Sequence, residues 1–370
     1  MKACGFFAGL KDLGEAYRKK PCKEGATPNG GSDSVKTMFD KTEITNLKLK
    51  NRLFRSATWE GLANPDGTLT DEVYKIYEAL ADGGVGTIIT GLTDVSPYDW
   101  ALTGNMRICS DTLIPDYKKL TDIVRARDCN ILAQLNMNHY VREEKRDVKV
   151  DINDLTINDI QAVIELFVQA ALRAEKAGFS GVQIHLAYGW LLNRIINPQY
   201  NRRIDEYGGT VQNRARIVVE ILKAIKAAIP NLHITAKFSF YDNKDGNIEI
   251  NDCVEICRLL TDNGIHSIEV LGGHSPKENN PKYESCYLDL AQAVKCKVNI
   301  PIILTGGNHD IDNMERLLNE TDIEYFAMSR PLIREPDLPN RWLNGDRTKA
   351  KCISCSKCYQ THGKRCIFNK

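Results

Sequence analysis

The 370-residue sequence lacks a dominant charge, a long apolar run and a Gly-rich nucleotide turn. With 49 Lys and Arg against 48 Asp and Glu, the formal net charge is +1, so no global field favours nucleic acid or an anionic membrane surface. No apolar stretch reaches the length of a membrane span, and the first residues lack the continuous apolar core of a secretory signal. The expectation is a soluble, cytoplasmic protein with a small-molecule substrate and neither a nucleic-acid nor a membrane partner. Composition leaves a homo-oligomer open. No G-x-G-x-x-G turn follows the first strand candidate, which argues against an open doubly wound dinucleotide fold. The 12 Cys are scattered through a large chain except for one C-terminal group, a usage that suits reduced thiols plus one metal-type site rather than a disulfide scaffold.

What the chain does have is a regular alternation. Short apolar strand candidates fall at Leu53–Ala57, Thr87–Thr90, Ile131–Leu135, Val182–His185, His233–Phe238, Ser267–Leu271, Ile300–Thr305 and Tyr325–Met328. Between them the spacing predicts helices over Asp71–Ala81, Ile114–Arg127, Ile157–Ala177, Gln212–Ile229, Asn251–Asp262, Leu288–Val294 and Ile311–Leu318, with Pro331–Arg334 and Glu335–Trp342 supplying the last. Parallel neighbours need a long return path and a helix provides it, so eight such units close into an α/β fold, a (β/α)8 TIM barrel. Residues 1–34 read as an N-terminal extension, 35–345 as the barrel and 346–370 as a short Cys-rich tail.

In such a barrel the site forms just beyond the carboxyl ends of the strands. Those positions hold Ser56, Ala57, Thr58 and Trp59, then Gly91, Gln134, His185 with Tyr188, Lys237, Gly272-Gly273, Gly306-Gly307, and Ser329 with Arg330. The last two loops pair small residues with a guanidinium fork, a combination suited to a phosphate. Gln134 offers donors and an acceptor to a heterocycle edge, and Lys237 places positive charge where a ring can hold electrons. Together they describe a phosphorylated heterocyclic cofactor over the barrel mouth. His139, His274 and His309 also follow strands but share no ligand spacing, and the run Arg142–Asp147 reads as an exposed charged loop without a partner.

The segments Asn51–Thr58, Ala133-Gln134-Leu135, His185-x-x-Tyr188-Gly189 running on through Asn197-Pro198 to Tyr207-Gly208-Gly209, and Ser329–Pro336 resemble the Old Yellow Enzyme family of NADH:flavin oxidoreductases. The resemblance covers roughly Phe39 to Trp342. It implies a barrel holding FMN, reduced by NADH or NADPH and reoxidised by an activated alkene or another acceptor. By position, Ser56 to Trp59 and Gly91 would line the flavin, Gln134 its pyrimidine edge and Lys237 its N1/O2 region. Gly306, Gly307, Ser329 and Arg330 would hold the phosphate, while His185 and Tyr188 would be catalytic, donating hydrogen bonds to the substrate's electron-withdrawing oxygen. Trp190 stands where the family carries the Tyr that protonates the α-carbon, and an indole N–H is no practical acid. The alternatives are an NADH oxidase or electron-transfer flavoprotein, or a degraded flavin-binding protein.

Cys352, Cys355, Cys358 and Cys366 place four thiols within fifteen residues, which suits an iron–sulfur cluster, a structural zinc or free thiols. Larger relatives in the family, like 2,4-dienoyl-CoA reductase and trimethylamine dehydrogenase, imply a [4Fe-4S] cluster on such a run.

Overall fold

The computed structural model describes residues 35–98, 102–146, 148–240, 248–272 and 283–369. The N-terminal extension 1–34, Gly273 and His274 lie outside the described residues. Eight strands form the frame: β1 Leu53–Arg55, β2 Thr87–Asp94, β3 Asn130–Asn136, β4 Gly181–Leu186, β5 His233–Ser239, β6 Ser267–Leu271, β7 Ile302–Thr305 and β8 Tyr325–Met328. Each pairs in parallel with the next, and β8 pairs with β1 from Phe326↔Leu53 to Met328↔Arg55, which closes the barrel. Helices α1 Asp71–Asp82, α2 Ile114–Arg125, α3 Ile157–Lys176, α4 Val211–Ala228, α5 Ile250–Asp262, α6 Leu288–Lys295, α7 Ile311–Glu320 and α8 Arg330–Arg334 follow the strands in turn. A last helix spans Leu338–Leu343, and a short one, Leu191–Ile196, precedes α4.

Successive side chains on a strand face opposite ways, and here both faces are buried. One parity carries the apolar residues that pack against the helices, such as Ile131, Ala133 and Leu135 of β3. The other faces the barrel interior, and along it polarity changes from bottom to top. Phe54, Ile89, Leu132, Ile303 and Tyr325 form a separate apolar layer at the N-terminal end. A hairpin, Thr42–Ile44 paired with Leu47–Leu49, plugs that end by adding Ile44, Leu47 and Leu49 to the layer. The next interior residues are polar on most strands, among them Ser56, Gln134, Lys237, Glu269 and Thr305. The closed end is therefore dry and the open end chemically equipped.

Local signals set the helix starts. Thr156 caps α3 in a capping box: its hydroxyl accepts from the Asp159 amide, and the Asp159 carboxylate accepts from the Thr156 amide at 2.8 Å. Arg142 is not the solitary charge its sequence context suggests, since its guanidinium donates to both Asp159 oxygens at 2.9 and 2.6 Å. The Arg142 bond, opposed by burial and helped by Thr156, holds the Asp159 carboxyl down to about 2 from an ordinary 3.8. A depressed carboxylate contributes stability above its unfolded value, and that contribution disappears as protons bind. Urea midpoints should thus fall as pH drops from about 4 to about 2. Arg142→Ala should flatten that acid limb; an unchanged limb would remove this pair from the account.

Candidate active site

The open end of the barrel holds a cavity of about 510 Å³, within the range of cofactor and ligand pockets. Its wall brings together Ser56, Ala57, Thr58, Trp59, Gln134, His185, Tyr188, Lys237, Gly306, Gly307, Ser329 and Arg330. Gly91 does not reach this wall. A Cβ there would stand 2.5 Å from the Thr58 carbonyl oxygen and 2.8 Å from Glu60 Oε2, so its bare Cα makes room for the loop after β1.

The floor is a polar network spanning six strands. Lys237 and Glu269 are register partners on β5 and β6, and both side chains are buried. Lys237 Nζ lies 3.3 Å from Glu269 Oε1 and donates to Ser56 Oγ at 2.8 Å. Glu269 also accepts from the Ser56 hydroxyl at 2.5 Å, from Thr305 Oγ1 at 2.8 Å and from Gln183 Nε2 at 2.8 Å. Gln183 Oε1 in turn accepts from Gln134 Nε2 at 2.8 Å, which orients the Gln134 amide. Burial alone would raise the Glu269 carboxyl, yet Lys237 and the three neutral donors hold it below the ordinary value. Glu269 escapes the strand-end inspection because it lies two residues before the end of β6. The available signal was its pairing with Lys237, since two isolated charges in successive apolar strands need each other.

On one side of this floor the chain after β7 turns through Gly306 and Gly307, at φ 115° and 72°. A Cβ on Gly307 would sit 2.3 Å from the Tyr283 carbonyl oxygen, so only glycine fits. Beside it Ser329 Oγ is 2.7 Å from Thr58 Oγ1. Arg330 Nη1 donates to Ser356 Oγ at 2.9 Å and is 3.4 Å from the Ser354 carbonyl. Ser356 and Tyr359 of the tail also line the cavity, together with His309; strand-by-strand reasoning misses the two tail residues and reaches His309 without giving it a role.

On the other side His185, register partner of Lys237, is buried at the end of β4. Its Nδ1 is 2.9 Å from Asn136 Oδ1, and Asn136 Nδ2 donates to Asp94 Oδ1 at 3.0 Å. Burial first, and the nearby Lys237 charge second, push the His185 imidazolium well below its ordinary 6.5. Tyr188 takes a left-handed backbone, φ 62°, with its ring centroid 6.0 Å from that of His185 and 5.9 Å from Lys237 Nζ.

The tail is fastened across the barrel mouth. Lys364 Nζ lies 4.2 Å from the Trp59 ring centroid, and Arg365 Nη2 is 2.6 Å from Glu72 of α1. Cys352, Cys355, Cys358 and Cys366 line one small hollow of about 20 Å³ that shares Arg330 with the larger cavity. Among the described residues, no group of three or more His, Cys, Asp or Glu side chains converges closely enough to hold a metal ion. No helix among them is long and apolar enough to cross a membrane.

A closed (β/α)8 barrel with an equipped cavity at its carboxyl end defines a barrel enzyme. The chain belongs to the NADH:flavin oxidoreductase / NADH oxidase family, whose model matches residues 37–348. It is 29% identical over 363 residues to an NADH oxidase of Thermoanaerobacter brockii, covering 90% of this chain and 56% of that protein. An NADPH dehydrogenase of Clostridium acetobutylicum is 31% identical over 314 residues, covering 81% of this chain and 92% of that one. The chain thus spans just over half the length of the first relative and nearly all of the second. Among solved structures, the fold matches an old yellow enzyme homologue from Zymomonas mobilis with TM-score 0.70 and 23% identity, covering 86% and 96% of the two chains. It matches a 2-naphthoyl-CoA reductase complex with TM-score 0.81 and 20% identity, covering 91% and 57%.

Proposed function

We propose that this chain is an FMN-dependent oxidoreductase that uses NADH or NADPH to reduce an activated alkene, such as an α,β-unsaturated carbonyl compound. The observation that carries the reading is the layout of one cavity: a floor of Gln134, Lys237 and Ser56, with Gly306, Gly307, Ser329 and Arg330 gathered at one side. These residues fit the group. Gln134, its amide oriented by Gln183, would suit the pyrimidine edge, and Lys237 would offer its ammonium to the N1/O2 region. Arg330, Ser329 and the Gly306–Gly307 turn match a phosphate. When bound, FMN would accept hydride from the nicotinamide and deliver it to the acceptor. His185 and Tyr188 would hold the acceptor's polar group, and Trp190, which also lines the cavity, would shape the pocket without supplying a proton. Tyr188 or water would supply it instead.

A second reading, electron transfer to another acceptor, is favoured by the hollow that Cys352, Cys355, Cys358 and Cys366 line beside Arg330. Four thiols around one hollow supply the donor chemistry of a [4Fe-4S] cluster, although no three of them converge closely enough in this structure to hold a single metal ion. Iron and acid-labile sulfide that co-purify with the protein and are lost in Cys355→Ser would support it. Anaerobic NAD(P)H consumption with and without an enone separates the readings. Acceleration by the enone is expected; turnover only with oxygen or one-electron dyes would replace alkene reduction by the second reading.

A further inference from the structure

We propose that the tail loop 356–366 is a lid over the cofactor cavity, and that Glu72 of α1 is the positioning residue that keeps it shut and so sets how fast the cofactor leaves. The proposal rests on the reading of this cavity as the FMN site.

The loop has two feet on one side of the barrel mouth and its tip on the other. One foot is set by Arg330, whose Nη1 donates to Ser356 Oγ at 2.9 Å, and by Ser354, whose hydroxyl is 3.0 Å from His309 Nε2. The other foot returns to α8. There Arg334 Nη1 donates to Asn369 Oδ1 at 2.7 Å, Asn369 Nδ2 donates to the Arg334 carbonyl at 3.0 Å, and the Arg334 guanidinium lies 5.2 Å from the Phe368 ring centroid. A segment of this length whose ends lie together is an Ω-loop, a form that often carries function. Its tip reaches the start of α1, where Arg365 Nη2 donates to Glu72 Oε2 at 2.6 Å and His362 Nε2 stands 3.3 Å from Oε1. Gly363 packs so closely there that a Cβ on it would stand 3.1 Å from Leu62 Cδ1. Ser356 and Tyr359 line the cavity, whereas Glu72 stands outside its wall.

The tip matters because the loop holds its own shape. Thr361 Oγ1 is 2.8 Å from the Cys358 carbonyl and 2.7 Å from the Arg365 carbonyl, and Lys364 Nζ donates to the Tyr359 carbonyl at 2.7 Å. The ammonium that lies over Trp59 is thus bonded to the backbone of a residue that lines the cavity. A loop braced in this way moves as one body, so release at Glu72 carries Tyr359 with it. The pivot is the first foot, where Ser354 and Ser356 hold left-handed backbone, φ 55° and 58°, conformations kept by the surrounding contacts. Ser354 is 1% exposed, whereas at the tip the side chains of Arg365 and His362 are 65% and 72% exposed. Exposed ion pairs contribute little each and are screened by salt. The lid is therefore firm at its feet and lightly held at its tip, the arrangement of a segment that opens locally while the barrel stays folded.

The test uses the intact protein loaded with FMN and reads the rise of flavin fluorescence after dilution. Glu72→Arg, which turns attraction for Arg365 into repulsion, should raise the FMN dissociation rate about 3- to 30-fold at low salt, and Glu72→Asp should recover most of the wild-type rate. Salt supplies a signature that a merely structural role lacks: going from about 0.05 to about 0.5 M NaCl should speed release from the wild type and leave Glu72→Arg nearly unchanged. Gly363→Val keeps every charge but wedges the tip off Leu62, and it should speed release as well. Wild-type dissociation rates in both variants would overturn the proposal, as would a wild-type rate indifferent to salt. A second readout needs no flavin. In hydrogen exchange of the apoprotein, the amides of 356–366 should exchange faster in Glu72→Arg while those of the barrel strands keep their protection; unchanged exchange in the loop would overturn the latch. A wild-type chain that takes up no FMN would defeat the proposed function instead, and faster loop exchange in Glu72→Arg would still support the lid.

Discussion

Glu269→Ala is expected to destabilise the barrel by about 3–5 kcal/mol, because it breaks a buried ion pair by removing one partner. Glu269 is completely buried, and its two oxygens take bonds from Ser56, Gln183, Thr305 and Lys237. Removing the carboxylate leaves the Lys237 ammonium beneath the cavity with Ser56 Oγ, at 2.8 Å, as its remaining hydrogen-bond partner among the described residues. It also releases Gln183, and with it the orientation of Gln134. Two effects should therefore appear together: a lower urea midpoint and weaker retention of FMN. Glu269→Gln keeps the volume and one acceptor oxygen and should lose less of both. A loss below about 1 kcal/mol for Glu269→Ala would mean that Lys237 finds another partner or gives up its proton.

Arg330→Ala should weaken FMN binding by about 10- to 150-fold, the equivalent of the 1.5–3 kcal/mol carried by a hydrogen bond to a charged group. The wild-type guanidinium is held toward the cavity by the tail, through Ser356 Oγ at 2.9 Å. Arg330→Lys keeps the charge without the planar fork and should fall between the two. Release of FMN fluorescence on dilution measures all three proteins. If Arg330→Ala binds FMN as tightly as the wild type, the phosphate lies elsewhere in the cavity and the assignment of Ser329 and the Gly306–Gly307 turn fails with it.

Most of the frame could be read in the chain because each barrel strand is a short apolar run followed by a helix of ordinary length. Strands β6 and β8 end where their apolar runs do, and β2 runs four residues past Thr90 to Asp94. The hairpin Thr42–Ile44 with Leu47–Leu49 was missed because strands of three residues carry too little periodicity. The same holds for the pair Tyr140–Val141 and Lys149–Val150.

The wall of the site was legible for a different reason: its residues stand at strand ends, where the barrel topology itself points. What lay deeper was not. Glu269 shares its parity with Ser267 and Leu271, and only the register against Lys237 shows that it faces the interior. Asn136 follows Gln134 at the same parity, yet its importance comes from Asp94 on the neighbouring strand. Ser356 and Tyr359 enter the cavity from a tail whose path no local pattern encodes. Gly91 also stands at the end of an apolar run, but its bare Cα is set against Thr58 and Glu60 rather than in the cavity wall.

The measurement that tests the central claim most directly is the absorption spectrum of anaerobically purified protein, reconstituted with FMN and then titrated with NADH and NADPH. Two visible flavin bands that bleach with either nucleotide are the predicted result, with an added broad shoulder if the four tail cysteines hold an iron–sulfur cluster. A colourless protein that takes up no FMN would contradict the account and leave a family barrel whose cavity serves another ligand.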